Sequence, residues 1–199
     1  LSFAGGASGV RITAAAGDDL YGLRPAGRPP AVRTAGGLVV VRFPRSRPCE
    51  CWAPPAETTA AVALGRGIRW ELTFRAGAAH VVADLRRLDV AGLDFGGGAG
   101  RVAIALPAPR GAVRLCIAGG ASNTVIYRPY GVAVSLRVAG GATGVTLDAQ
   151  RIGVSGRDVD LQAPGAAGRA GRYEIDVSGG ANALVVAQGP PPWGTLGVP

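Results

Sequence analysis

The chain has 199 residues, 48% of them hydrophobic and 17% charged, with 33 Gly, 15 Pro and a formal net charge of +8. That length holds one domain, and so high a hydrophobic share excludes a disordered chain despite the Gly and Pro content. There is no Lys and a single His, His80, which excludes P-loop and Schiff-base lysines and any multi-histidine metal site.

The chain opens on Leu1-Ser2-Phe3-Ala4-Gly5-Gly6-Ala7, an alternating apolar/polar run that ends in Gly-Gly-Ala and leads into a second alternating run. Val32 to Val41, around Gly36-Gly37, reads as another copy. Residues 44–55 break the pattern with four prolines and with Cys49 and Cys51, and read as a lateral loop. Leu72 to Ala78 is a worn copy. The phrase returns as Leu93-Asp94-Phe95-Gly96-Gly97-Gly98-Ala99 and Leu115-Cys116-Ile117-Ala118-Gly119-Gly120-Ala121. Tyr127-Arg128-Pro129-Tyr130 follows at a turn. Two more copies start at Leu136 and Ile175, with Val159 and Leu161 as a poor rung between them. Gly189-Pro190-Pro191-Pro192-Trp193 begins a Pro-rich extended tail, so one domain covers 1–188 and the tail 189–199.

Leu72, Leu93, Leu115 and Leu136 are spaced by 21, 22 and 21 residues, and Ile175 follows after 39, room for two coils. Alternation with a period of two, no helical stretch and a repeat near 20 residues predict an all-β parallel β-solenoid with coils of about 20–22 residues. Stacking the copies puts Leu1, Leu72, Leu93, Leu115, Leu136 and Ile175 in one inward column. Phe3, Phe74, Phe95, Ile117, Val138 and Val177 form the next. Past the glycines, Val10, Val81, Val102, Val145 and Leu184 align, followed by Ile12, Ala83, Ile104, Leu147 and Val186. A lone strand cannot bury such a face; coils about 4.8 Å apart bury it in continuous ladders. Gly-Gly supplies the corner, where positive φ or the close approach of stacked backbones excludes a Cβ.

The outward columns carry little chemistry. One reads Thr73, Asp94, Cys116, Arg137, Asp176 and another His80, Arg101, Asn123, Gly144, Ala183, none uniformly charged or aromatic. Asp94 and Asp176 are expected several coils apart, so no carboxylate pair of glycosidase type is expected, and no Gly-x-Ser-x-Gly elbow presents a nucleophile to His80. The chain is read as a non-enzyme with no catalytic residue, cofactor or metal. Cys49, Cys51 and Cys116 match no zinc-binding spacing and read as thiols. The 21 basic residues are all Arg, spread from Arg11 to Arg172, a pattern of GC-rich coding rather than of phosphate recognition. Arg101, Arg114, Arg128, Tyr130 and Arg137 are the surface candidates for binding. If they converged on a face free of Asp and Glu, the chain would be a weak electrostatic binder of nucleic acid or another polyanion; that is the second reading. No apolar run approaches the roughly 18–20 residues of a membrane span. No signal peptide is visible at Leu1-Ser2-Phe3. The absence of Met implies a trimmed natural start.

At Ser178-Gly179-Gly180-Ala181, and again at Ala118 to Asn123 and Ala139 to Thr143, the chain resembles the bacterial "putative-adhesin" group. These are toast-rack (head-GIN-like) domains, related to the C-terminal domains of LiaF-type envelope-stress proteins; an actinobacterial branch is the nearest in kind. The resemblance spans Leu1 to Ala187 and is strongest from Trp70. It implies a right-handed single-stranded β-solenoid without catalytic residues and a role in interaction or scaffolding, often near the cell envelope. It carries no ligand residues with it. The first reading is therefore a non-enzymatic interaction or scaffold module. It would sit in the envelope or cytoplasm of a GC-rich bacterium and self-associate through its terminal coils or bind envelope components.

Overall fold

In a computed structural model of the chain, residues 1–5, 7–26, 29–43, 59–165 and 171–192 are described. They form eighteen strands and no helix: β1 (Ser2–Ala4), β2 (Ala7–Ala14), β3 (Tyr21–Ala26), β4 (Ala31–Ala35), β5 (Leu38–Arg42), β6 (Thr59–Leu64), β7 (Arg69–Phe74), β8 (Ala78–Asp84), β9 (Asp89–Phe95), β10 (Ala99–Ala105), β11 (Ala112–Ile117), β12 (Ala121–Arg128), β13 (Ala133–Val138), β14 (Ala142–Leu147), β15 (Gln150–Ser155), β16 (Val159–Ala163), β17 (Arg172–Val177) and β18 (Ala181–Gln188). They make two nine-stranded sheets. Sheet A runs β16-β13-β17-β11-β9-β7-β1-β5-β4 and sheet B runs β15-β14-β18-β12-β10-β8-β2-β6-β3. From β5 to β14 the chain visits sheet A and then sheet B in turn, and the inward residues of both sheets join one core.

The inward columns follow from strict alternation. In sheet A, Leu72 pairs with Leu93, Leu93 with Leu115, Leu115 with Ile175, Ile175 with Leu136, and Leu136 with Leu161. One step on, Phe3, Phe74 and Phe95 stack with ring centroids 4.7 Å apart, so the rings repeat at the strand spacing itself. Each buried rung of this kind contributes about 1.5–3 kcal/mol of transfer free energy. Trp70 and Tyr173, in the inward register, are buried, and each satisfies its polar tip: Trp70 Nε1 donates to Gly65 O at 2.8 Å and Tyr173 Oη to Pro107 O at 2.7 Å.

The glycine corners lie between the sheets. Gly119 does not need positive φ; it needs the absence of a side chain. A Cβ there would lie 2.7 Å from Gly98 N and 2.9 Å from Gly98 Cα. The same close approach lets Gly119 N donate to Gly97 O at 3.1 Å, so the ladder runs through the bend.

Three features depart from the sequence reading. First, the stack does not follow chain order. β1 sits between β5 and β7, and β17 sits between β13 and β11, so Ile175 separates Leu115 from Leu136. Second, the outermost strands are antiparallel: β4 and β16 at the ends of sheet A, β3 and β15 at the ends of sheet B. Val159 and Leu161 thus belong to an end strand and not to an inner coil. Val32 to Val41 is a β4-β5 hairpin, with Gly36 and Gly37 at φ 56° and 76° in its turn and not at a sheet-to-sheet corner. Third, the column after the corner is left-handed: His80, Arg101, Asn123 and Ala183 have φ of 55°, 53°, 47° and 54°, in line with Gly9 and Gly144 at 68° and 64°. The residue in that state sets two outward positions side by side before inward alternation resumes, a bulge repeated layer after layer.

The expected lateral loop, 44–55, with Cys49 and Cys51, lies outside the described residues. So does the tail beyond Pro192. Gly189 to Pro192 are described, and Pro191 is buried.

Candidate functional site

The five candidate residues do not converge. Arg114 and Arg137 stand on the outer face of sheet A, among acids. Arg114 Nε donates to Glu174 Oε2 at 3.3 Å, and Arg172 Nε donates to Glu174 Oε1 at 2.9 Å. Those bonds, Arg172's first, hold the Glu174 carboxyl below its ordinary range. Arg137 lies 3.9 Å from Asp158 and is in register with Asp160 on one side and Asp176 on the other. Arg101 is exposed on sheet B, in the left-handed column. The face free of Asp and Glu that the polyanion reading requires is not formed by these arginines.

Insertion of β17 also brings Asp94 and Asp176, two further carboxylates of this face, closer than chain order suggests. Asp94 and Asp176 are both in register with Cys116, so one strand separates them. The Cys116 thiol is exposed and free, and its pKa is raised, by desolvation first and then by these two carboxylates. Such a thiol is a poor nucleophile. Among the described residues no group of three or more His, Cys, Asp or Glu is arranged to hold a metal ion.

Arg128 requires a correction: it is 1% exposed and is not a surface residue. Alternation should point it inward, and it does point inward, at the end of β12 where the core meets the turn. Its Nη1 donates to Val132 O at 2.6 Å, and its Nη2 pairs with Asp148. Gln188 Nε2 donates to Asp148 Oδ2 at 3.1 Å while Gly131 N donates to Gln188 Oε1 at 3.0 Å. Arg128, Asp148 and Gln188 together therefore fasten the ends of β12, β14 and β18. Burial lowers the Arg128 pKa, and Asp148 opposes that shift. The signal for this in the sequence was the strand register, which places Arg128 in line with inward Ile126 and Thr124.

Tyr130, by contrast, is 66% exposed. It stands at the rim of a cleft of about 400 Å³ beyond the ends of β10, β12 and β18, whose walls include Leu106, Pro107, Tyr127, Pro129, Tyr130 and Pro190. Arg128 lies beneath it and Arg86 beside it, the latter held by Asp84 through bonds of 2.8 and 2.6 Å. A shallower groove of about 540 Å³ runs along the glycine corners, with Ser122, Thr143, Ser155 and Asn182 on its walls. Of the two, the tyrosine cleft has the ring surfaces that recognition sites use.

The class defined by this architecture is an all-β protein of two nine-stranded, mostly parallel sheets sharing one core. No family model matches the chain, and no curated protein sequence matches it significantly. Among solved structures it is similar to a "putative cell adhesion protein" from Clostridium sporogenes, with a TM-score of 0.70 and 15% identity over 94% of this chain and 91% of the other. At that identity the likeness concerns the fold. No helix among the described residues is long and apolar enough to cross a membrane.

Proposed function

We propose that this protein is a non-enzymatic recognition and scaffold module of the adhesin type. In this reading the chain winds as a single-stranded right-handed β-solenoid and works at a bacterial cell envelope, meeting partners and further copies of itself through its end strands. The structural neighbour described as a cell adhesion protein supports the type of role. The observation that carries the reading is the placement of exposed apolar side chains. Leu20, Val32 and Leu38, 46%, 36% and 42% exposed, gather around β3, β4 and β5, and Val154, 82% exposed, stands on β15 at the opposite end. Edge strands with unpaired main-chain groups and apolar side chains are templates for association.

Light scattering over a wide concentration range tests this. Association is expected to rise with concentration and to be weakened by Val32→Lys and Val154→Lys. A strict monomer at every concentration, with no retention on isolated envelope material, would remove the reading.

A further inference from the structure

We propose that the tyrosine cleft at the ends of β10, β12 and β18 binds a proline-rich segment of a partner protein in the polyproline II conformation. This goes beyond association through the end strands and involves none of the residues invoked for it.

The chemistry of the walls selects the ligand. Most polar groups around the cleft are already engaged within the chain; Arg128 Nε has no partner but is itself buried. Arg128 is held by Val132 O and Asp148, and Arg86 by Asp84. Pro107 O accepts from Tyr173 Oη at 2.7 Å, Tyr127 O from Leu106 N at 2.8 Å, and Arg128 O from Gly189 N at 2.9 Å. Both arginines face their own aspartates, so the cleft has no unbalanced positive charge with which to attract an anion. What it offers outward is the exposed ring of Tyr130 and the half-buried rings of Tyr127 and Pro129. A saccharide needs several converging, unengaged donors and acceptors. A polyproline II helix does not: it has no internal hydrogen bonds, repeats every three residues and docks its rings on aromatic side chains. Its solvated carbonyls need only an occasional donor, and the exposed Tyr130 can provide one.

The chain already brings a proline run of its own to this cleft. Gly189, which leads into Pro190-Pro191-Pro192, passes so close to Tyr130 that a Cβ on it would lie 2.7 Å from Tyr130 Oη and 2.9 Å from Cζ. Pro190 then forms part of the cleft wall and Pro191 is buried. One side of the cleft is thus formed by the chain's own Pro190, and the half-buried Pro129 beside the exposed Tyr130 is the surface on which a second proline segment would dock.

The test is a titration of the whole chain, at a concentration where it is monomeric, with an acetylated ten-residue polyproline peptide. A Gly-Ser peptide of equal length serves as control, and amide shifts and calorimetry serve as readouts. Saturable binding is expected, with shifts confined to the cleft. Tyr130→Ala should weaken it at least about tenfold, as for an aromatic anchor, and Tyr130→Phe should weaken it less. Tyr130 is exposed, so its removal leaves no core cavity, and an unchanged melting temperature confirms that the fold is intact. The proposal is overturned by no saturation at millimolar peptide, by equal binding of the Gly-Ser peptide, or by binding indifferent to Tyr130→Ala. Binding of a soluble cello-oligosaccharide in the cleft without binding of polyproline also overturns it. None of these outcomes depends on whether the end strands associate.

Discussion

Replacing Gly179 with Ala isolates the role of close approach at the corners, because Gly179 does not occupy the left-handed region. Ala can adopt its backbone conformation, and the smaller entropy of the unfolded chain alone would stabilise the variant by about 0.4–1 kcal/mol. Against that, the new Cβ would meet Gly119 C at 2.7 Å and Gly119 O and Gly120 N at 2.8 Å, all main-chain atoms of the neighbouring layer. Main chain cannot rotate away as a side-chain tip can, so β11 and β17 must separate locally. Overpacking of this kind costs about 1–3 kcal/mol. The clash wins, leaving a net loss of about 1–2 kcal/mol, or about 2–8 °C in melting temperature for a chain of this size. Gly153, on the end strand β15, is the matched control: nothing lies within 4 Å of its Cβ position. Gly153→Ala should therefore be neutral or slightly stabilising. Urea unfolding of the pair, compared at equal slope, checks both expectations. If Gly179→Ala were as stable as the parent, or Gly153→Ala lost as much, the account of the corners would fail.

Ile175→Ala removes a rung that is 2% exposed and flanked by Leu115 and Leu136, so denaturation should show a loss of about 2–5 kcal/mol, well above that of Leu161→Ala, which has a strand on one side only. Ala183→Gly relieves left-handed strain of about 1–2 kcal/mol against about 0.5–1 kcal/mol of added chain entropy, and should raise stability slightly in the same assay. Asp148→Ala leaves the Arg128 charge buried without its partner and should cost about 3–5 kcal/mol, whereas Arg128→Met, which removes the charge, should cost less; a reversed order would sink this account of the pair. The hydrogen bond from Arg86 holds the Asp84 carboxyl below its ordinary range, so the resulting stability is present above that range and lost as pH falls through the depressed value. Acid unfolding of Asp84→Asn should lack that part of the loss.

The inward columns were legible because alternation and equal spacing leave one face to bury, and Leu72, Leu93 and Leu115 stand in register as read. The order of the outer layers was not. Ladders of like residues are interchangeable: Ile175 fits beside Leu115 as well as Leu136 does, and nothing local to either strand decides between them. Nor does local pattern distinguish a parallel from an antiparallel neighbour for Val159 to Ala163, whose inward residues alternate either way. The left-handed column was visible in principle, since Gly9, Asn123 and Gly144 tolerate that conformation, but His80, Arg101 and Ala183 concealed it. Arg128 was misplaced because charge was weighed above register. Tyr130, read as a surface residue, is exposed, but the cleft it shares with Arg128 was not foreseen: the prolines that complete that cleft come from three separate turns and share no local motif.

The seating of β1 between β5 and β7, and of β17 between β11 and β13, has a consequence for how such a protein grows. A ribbon laid down turn upon turn can be lengthened at its tips and can fray from them. Here the first and last strand pairs are wedged like drawers beneath a later or earlier turn, and each end is closed by a strand running the opposite way. Fraying would have to begin by lifting a reversed hairpin, and an evolutionary duplication that keeps both closures intact must enter at the middle, among β7 to β12. Length in this architecture is therefore set by insertion, and unravelling by the release of a latch.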